Sequence, residues 1–498
     1  MIDLITSILF VLCITFSIIF IKRVVLRRGK TYPNGPFGLP IVGHLPFYGS
    51  YPPATFFKWW QKYGDIFRIK LGSWNAVVLN GFSAIKEATH HPKDAFSGRP
   101  NFVSMQVLTE RTGEDTFAFG NFCPAYVKQQ KLAAKSLRMF TSGRPDMIED
   151  LVSSETSLFI DQMLKQCGTV PGYIESNVHT LVLRFTFQFL FGMEKDVDFE
   201  SMVDAISAML LEVDEFSGSG SPIDVLPWLK YFMPWKVERL RKALEKGYAI
   251  QEGQVHEHCK TFSRDEIRDV ADAILASDAD DEMNQDRFVL TRERLNNTLL
   301  DLFGAGFDTT NKSIIWTLFY LTAYPDIQRR VYEEIDRVTN GRKVSLSDKK
   351  DLPFTEAVCY EVSRIVTPLP FSVPHYAIMD AKIRNFDVDE GTVVILNLHS
   401  VHHDPKFWGD PECFRPDRFL SRDNKLEVDK CSHVIPFGIG RRKCVGEAVA
   451  KMNVFLTIST IIQRLEFIKP PGESLDFTSI PGLVYRPNDF KVLVKERL

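Results

Sequence analysis

The chain has 498 residues, with 60 Lys and Arg against 63 Asp and Glu, and its net charge of −3 gives no global case for nucleic-acid binding. Its length leaves room for several domains, but no long linker divides it, and its apolar and charged contents are those of a globular protein. Eight scattered cysteines without a C-x-x-C pair exclude a dense disulfide framework and favour reduced thiols in a cytosolic environment.

Leu4 to Ile21 is an uncharged, almost wholly apolar run, followed by Lys22, Arg23, Arg27, Arg28 and Lys30. A run of about twenty such residues can cross a bilayer as a helix. A cleaved signal peptide would carry its basic residues before the apolar core, not after it. The pattern predicts a single-pass anchor with its basic flank over residues 1–30, and the rest of the chain facing the cytosol. Residues 31–43, with Pro33, Pro36 and Pro40, read as a stiff spacer, and 31–498 as one domain.

Phe67 to Leu71 and Ala76 to Leu79 read as short strands joined near Gly72. Phe96 to Phe122 is a long irregular region, and its Phe102, Val103, Phe117, Phe119 and Phe122 suit either a core or an apolar lining. Tyr126 to Phe140 is a basic helix with Lys128, Lys131, Lys135 and Arg138. Val178 to Phe191 is an apolar helix that Gly192 stops. Ser217 to Pro222 is a flexible break before Trp228 and Trp235, and Ser277 to Asp286 reads as an acidic loop. Asn296 and Asn311 begin glycosylation sequons, which a cytosolic location makes coincidental.

Leu295 to Leu321 forms a long apolar helix containing Gly304-Ala305-Gly306-Phe307-Asp308-Thr309-Thr310. A glycine inside a helix costs about 1 kcal/mol relative to alanine, and a weakened turn beside a hydroxyl can open its hydrogen-bond ladder. Asp308 and Thr309 then set an acid beside an alcohol, a relay for protons. A tight helix-packing contact explains the same residues, and the helix alone does not choose. Glu361 and Arg364 are an i,i+3 pair, but so are Glu238/Arg241 and Glu334/Arg337. His375 follows Pro374 in an extended region, where a lone histidine is most often a satisfied structural group.

The most distinctive stretch is Phe437-Gly438-Ile439-Gly440-Arg441-Arg442-Lys443-Cys444-Val445-Gly446. After Cys444, the residues Val445, Ala448, Val449, Met452 and Phe455 recur at helical spacing, which predicts a helix N-terminus at the cysteine. Unpaired amides and the helix dipole there favour a thiolate. Gly440 can take a positive φ, Gly446 leaves space for a flat ligand, and Arg442 can pair with an acidic edge of it. These properties suit a thiolate ligand to haem iron. A buried structural cysteine is the bland alternative. A phosphate-binding glycine loop is rejected, since Lys443 stands in place of the third glycine and Pro436 interrupts the preceding strand.

Phe437, Gly440, Arg442, Cys444 and Gly446 match F-x-x-G-x-R-x-C-x-G, and here the chain resembles the cytochrome P-450 family. The resemblance extends over nearly the whole sequence. It implies the P-450 fold, mainly α with a smaller β portion, preceded by one N-terminal transmembrane helix. It implies haem b, with Cys444 as axial ligand to the iron and Phe437, Gly440 and Gly446 around the cofactor. Ala305, Gly306, Asp308, Thr309 and Thr310 match [AG]-G-x-[DE]-T-T, which makes Thr309 and Asp308 catalytic in proton delivery and sets Ala305 beside the haem. Glu361, Arg364 and Arg418 match a buried structural triad, and Arg442 and His375 match contacts to the haem propionates. Where the family has W-x-x-x-R, this chain has Tyr126 and Gln130, with Lys131 one residue away. The irregular loop before Phe122, helices around the break at 217–222 and the turn at Ile480 to Tyr485, with Leu483 and Val484, match parts that shape or reach the family's pocket.

The activity implied for 31–498 is a haem-thiolate monooxygenase acting on an apolar small molecule, at the endoplasmic reticulum membrane with its catalytic domain in the cytosol. No flavin or iron–sulfur motif is evident, so NADPH–cytochrome reductase, assisted by cytochrome b5, is the implied electron donor. Lys128, Lys131, Lys135, Arg138, Arg441 and Lys443 suit a basic docking face. Within the family the likeness is strongest to the microsomal branch of aryl-hydrocarbon hydroxylases and steroid 17-alpha-hydroxylases, which suggests a steroid or an aromatic xenobiotic. Alternatives are a peroxide isomerase or dehydratase of the same fold that needs no reductase, and a non-enzymatic haem-thiolate sensor.

Overall fold

The computed structural model describes residues 29–91, 93–110, 116, 118–192, 199–217, 221–281 and 291–497. The expected anchor lies outside these, and among the described residues no helix is long and apolar enough to cross a membrane.

Residues 33–43 lie along the outer edge of the sheet. Arg68 N–H donates to Asn34 O at 3.0 Å, His44 N–H to Lys70 O at 2.8 Å, and Gly43 pairs with Leu71. Helix α1 (Pro52–Tyr63) leads into strands β1 (Ile66–Leu71) and β2 (Trp74–Asn80), antiparallel with Phe67 opposite Val78. Gly72 turns this hairpin at φ 55°, and a Cβ there would fall 2.2 Å from the Val225 carbonyl oxygen, so only glycine fits. Helix α2 (Gly81–Thr89) follows directly.

The helical body comprises α3 (Pro124–Arg138), α4 (Pro145–Cys167), α5 (Glu175–Phe191), α6 (Phe199–Ser217), α7 (Pro234–Thr261), α8 (Arg292–Ala323) and α9 (Pro353–Val366). Strands β3 (His375–Tyr376) and β4 (Val393–Asn397) then complete the sheet, in the order β1-β2-β4-β3, with β4 parallel to β2. Helix α10 (Glu447–Arg464) follows the cysteine loop.

Helix α8 is the axis of the body. Its 32 residues span about 48 Å at the usual rise. The Thr291 side chain caps its start by accepting the Arg294 amide, and Tyr324-Pro325 ends it. It is buried on most faces, against α5, α7, α9 and α10, as an all-round apolar helix should be. The principal core joins Phe185, Phe189, Trp316, Phe319, Phe455 and Ile458.

Three expectations need adjustment. The basic helix stops at Arg138, and Met139–Gly143 continues as a π turn that buries Phe140. The region from Phe96 contains a helix, Val103–Thr109, with Val103 and Val107 buried. The acidic stretch from Ser277 is not all loop, because the helix Val270–Asp281 carries into it and buries Ser277. Its apolar start, Val270 to Ile274, is fully buried and drives the helix onward. Asn296 and Asn311 are buried on α8, which removes both sequons from solvent.

Candidate active site

The Cys444 loop is shaped by two constraints. Cys444 N–H donates to Phe437 O at 3.0 Å and Lys443 N–H to Gly440 O at 3.2 Å, closing the loop on itself. Gly440 has φ 80°, and a Cβ there would lie 2.3 Å from the Thr89 carbonyl oxygen. The end of α2 therefore seats the loop, and no side chain fits between them.

Cys444 does not begin the helix. The N-cap of α10 is Gly446, so the cysteine precedes the cap by two residues. The amides of Gly446 and Glu447 still bend toward it and draw its pKa down, but burial outweighs them and raises the thiol above its ordinary value. Helix-end amides alone therefore do not favour the thiolate here.

The thiol opens on a cavity of about 450 Å³. At one end Arg99, Tyr126, His375 and Arg442 converge. Arg442 donates through Nε to Ser97 O and through Nη2 to Gly120 O, both at 2.7 Å, and its guanidinium lies 4.0 Å from the Tyr126 ring centroid. Arg99 donates to the carbonyls of Ala118, Val373 and Pro374, at 3.2, 3.1 and 3.1 Å. Burial pushes both guanidinium pKa values down, and Arg442 depresses Arg99 further. Two buried cations side by side call for an anion. Arg99 was not singled out from the sequence. It lies 343 positions before Arg442, and only the fold brings the two together.

His375 is buried and its Nδ1–H donates to Phe96 O at 2.8 Å. Burial and the nearby Arg99 lower its pKa to about 3, so its ring is neutral and Nε2 is an acceptor. Donation from Nε2 to an acid needs the ring to gain a proton. Tyr126 Oη and Gln130 Nε2 lie 3.4 and 3.2 Å from the Arg441 carbonyl oxygen, which ties α3 to the cysteine loop, and both residues line the cavity. Lys131 is exposed.

Helix α8 also lines the cavity, with Ala305, Asp308 and Thr309 on it and Phe307 buried against the His179 ring. The helix is continuous through Gly306, and the Thr309 hydroxyl donates to Ala305 O at 2.8 Å. The anticipated opening of its ladder is absent. Room comes instead from missing side chains, since a Cβ on Gly304 or Gly306 would meet nothing within 4 Å. The turn before Arg486 brings Leu483 and Val484 to the same cavity.

Behind the loop, the Glu361 carboxylate accepts from Arg364 at 2.7 and 3.0 Å and from Arg418 at 2.9 Å, and all three residues are buried. Arg418 also donates to the Trp408, Asp410 and Cys413 carbonyls.

A thiol centred in an apolar cavity, a cationic end and an acid–alcohol wall together define a site for a flat, anionic-edged, iron-bearing cofactor, and the donor set fits haem. The family model described as Cytochrome P450 matches residues 33–494. The chain is 32% identical over 494 residues to Cytochrome P450 1A1 of Macaca mulatta, covering 97% of this chain and 95% of that protein. It has the same identity over 493 residues to the human protein of that name, with the same coverage. Over 484 residues it is 32% identical to that of Rattus norvegicus, covering 95% and 92%. The chain belongs to the cytochrome P450 family. It is accordingly a monooxygenase, an oxidoreductase that works with haem b and draws electrons from a redox partner.

Proposed function

We propose that this monooxygenase acts on steroid or aromatic xenobiotic substrates, with NADPH–cytochrome reductase as electron donor and cytochrome b5 as auxiliary, at the cytosolic face of the endoplasmic reticulum membrane. The observation that carries the reading is the cavity itself. Phe119, Leu210, Val213, Leu300 and Leu483 line it apolarly, and Asp308, Thr309 and Cys444 border the same space. An apolar molecule fits such walls and displaces water from them. Likeness to Cytochrome P450 1A1 supports the aryl-hydrocarbon hydroxylase branch of the family.

Haem, when bound, supplies the oxygen chemistry, and a thiolate ligand tunes it toward O–O cleavage. Cys444 would hold the iron. Arg99 and Arg442 would balance the acidic edge, and His375 would join them on gaining a proton. Thr309 offers a hydroxyl, and Asp308 an ionisable carboxyl, for handing protons into the cavity. Glu361, Arg364 and Arg418 hold the cysteine loop in register from behind.

Electrons arrive on the cysteine side. Exposed Lys131, Lys135 and Arg138 of α3, with Lys128, flank the loop, to which α3 is bound through Tyr126 and Gln130. Arg441 and Lys443 pair with Asp94 and Glu447 at 2.9 and 2.7 Å. Membrane attachment is supported by exposed Trp228, Tyr231, Phe232 and Trp235, and by exposed Phe37 and Ile41. Both groups flank the Gly72-Ser73 turn, where Ser73 N–H bonds Val225 O and Gly72 N–H bonds Val42 O.

The test is turnover of the purified full chain with reductase and NADPH, against panels of steroids and polycyclic aromatics. NADPH-dependent oxygenation of one panel is expected. Turnover with peroxide substrates that ignores NADPH would favour the isomerase alternative. Reduced protein under carbon monoxide should show the strongly red-shifted Soret band of a sulfur-ligated haem.

A further inference from the structure

Helix α8 carries a buried lysine one turn beyond Asp308. Lys312 is 5% exposed. Its Nζ donates to Asp308 at 2.9 Å and to Asp214 of α6 at 3.2 Å. The other Asp214 oxygen accepts the Leu483 amide at 2.8 Å. A Cβ at Gly482 would lie 2.6 Å from that same oxygen, so the turn fits only because 482 is bare. Three segments far apart in sequence thus meet at one carboxylate, that of Asp214. Both carboxylates border the cavity, whereas Lys312 does not.

The charges facing this point are two carboxylates and one ammonium. The neighbouring His179 of α5 is neutral, lowered to about 4 by burial and by Lys312. Its Nε2 lies 2.5 Å from Ser207 Oγ. Burial raises the Asp308 carboxyl above its ordinary value; Lys312 pulls against this and Asp214 adds to it. Two carboxylates this close, without the ammonium, would share a proton.

We infer that Lys312 is a positioning residue for the acid–alcohol pair: it fixes the Asp308 carboxylate beside Thr309 and supplies the positive charge that balances it. The inference rests on the role proposed above for Asp308. A carboxylate held this way accepts a proton from water and releases it toward the cavity, ending as it began. A carboxyl that keeps its proton cannot do so. Asp214 sets the strength of the grip, because it competes for the same ammonium.

The experiment uses the haem-loaded full chain with Lys312→Met, Lys312→Arg, Asp214→Asn and Lys312→Met/Asp308→Asn. Difference infrared spectra across a pH titration read protonated carboxyls directly. In Lys312→Met a protonated-carboxyl band should persist to higher pH than in the parent, and should vanish in the double variant. Asp214→Asn should move the parent's titration the opposite way, to lower pH. Product formed per NADPH should fall about tenfold in Lys312→Met with substrate affinity unchanged, and Lys312→Arg should restore most of it. Unchanged titrations in Lys312→Met and Asp214→Asn, or an arginine variant as impaired as the methionine one, would overturn the inference. If Lys312→Met fails to fold, the direction of the Asp214→Asn shift decides: downward supports, none or upward refutes. Absence of the red-shifted Soret band in the parent would instead refute the haem reading, and the infrared result would still stand.

Discussion

His402 accepts the backbone amide hydrogen of Ile435 through Nε2 at 2.8 Å. Its own carbonyl accepts Arg364 Nη1, also at 2.8 Å, so one histidine joins the Glu361–Arg364–Arg418 cluster to the lead-in of the cysteine loop. The Thr367 hydroxyl spends its hydrogen on Arg364 O, which makes His402 Nδ1 the donor in their 2.9 Å contact. The ring is therefore neutral, and protonation would replace the Ile435 bond by a clash of donors.

His402 and His403 are held well below the ordinary histidine value by burial, and His375 and His399 at about 3. Above about pH 6.5 neither folded nor unfolded chain protonates them. Below it only the unfolded chain does, so stability falls as pH drops from about 6.5 toward 3. With His375 taking up a proton beside haem, the other three give a slope of up to about 4 kcal/mol per pH unit. Urea midpoints between pH 7 and 5 should fall steeply, and His402→Gln should flatten the slope.

Removing Glu361 leaves the buried Arg364 guanidinium without an acid, and Arg418 with only the half-exposed Asp410 at 3.0 Å. Glu361→Gln and Arg418→Leu should each cost roughly 3–5 kcal/mol in urea unfolding. Haem content of the purified protein should drop in both.

Gly440 and Gly438 separate backbone strain from crowding. Both have positive φ, but a Cβ at 438 meets nothing within 4 Å, while one at 440 strikes Thr89. Gly438→Ala should cost about 1 kcal/mol. Gly440→Ala should lose most of the sulfur-ligated carbon monoxide spectrum as well.

Since the His375 ring is neutral without an anion beside it, haem binding should take up about one proton there. Affinity then rises as pH falls. Haem transfer to an acceptor protein should slow toward acid pH in the parent, and lose most of that dependence in His375→Gln. Arg99→Leu should speed the transfer at every pH.

Reversing charge at Lys128, Lys131 and Lys135 should lower turnover with reductase and spare turnover driven by peroxide. Equal loss in both assays would point to damage within the site instead of impaired docking.

Much of the site is legible in the chain where chemistry is written locally. The cysteine loop carries Cys444, its glycines and Arg442 within ten residues, and Asp308-Thr309 stand together on one apolar helix. Strands β1 and β2 follow from their β-branched and aromatic runs, with the observed β2 beginning two residues earlier. Arg99 and Asp214 give no such local signal: each is an unremarkable charge until the fold sets it beside a partner 343 or 98 positions away. Lys312 stands one turn after Asp308, but its place between two carboxylates shows only in the fold. The start of α10 is misread by three residues, because the apolar periodicity begins before Gly446 caps the helix.

The docking of residues 33–43 on β1 has a mechanical consequence. A tug applied upstream of Lys30 meets Lys30 gripping Asp380 and Asp389, then successive bonds to Arg68, Lys70 and Gly72. Such a load is carried into the sheet as shear and shared among several strands. A slack tether would absorb it, whereas this attachment makes the molecule answer as a rigid lever.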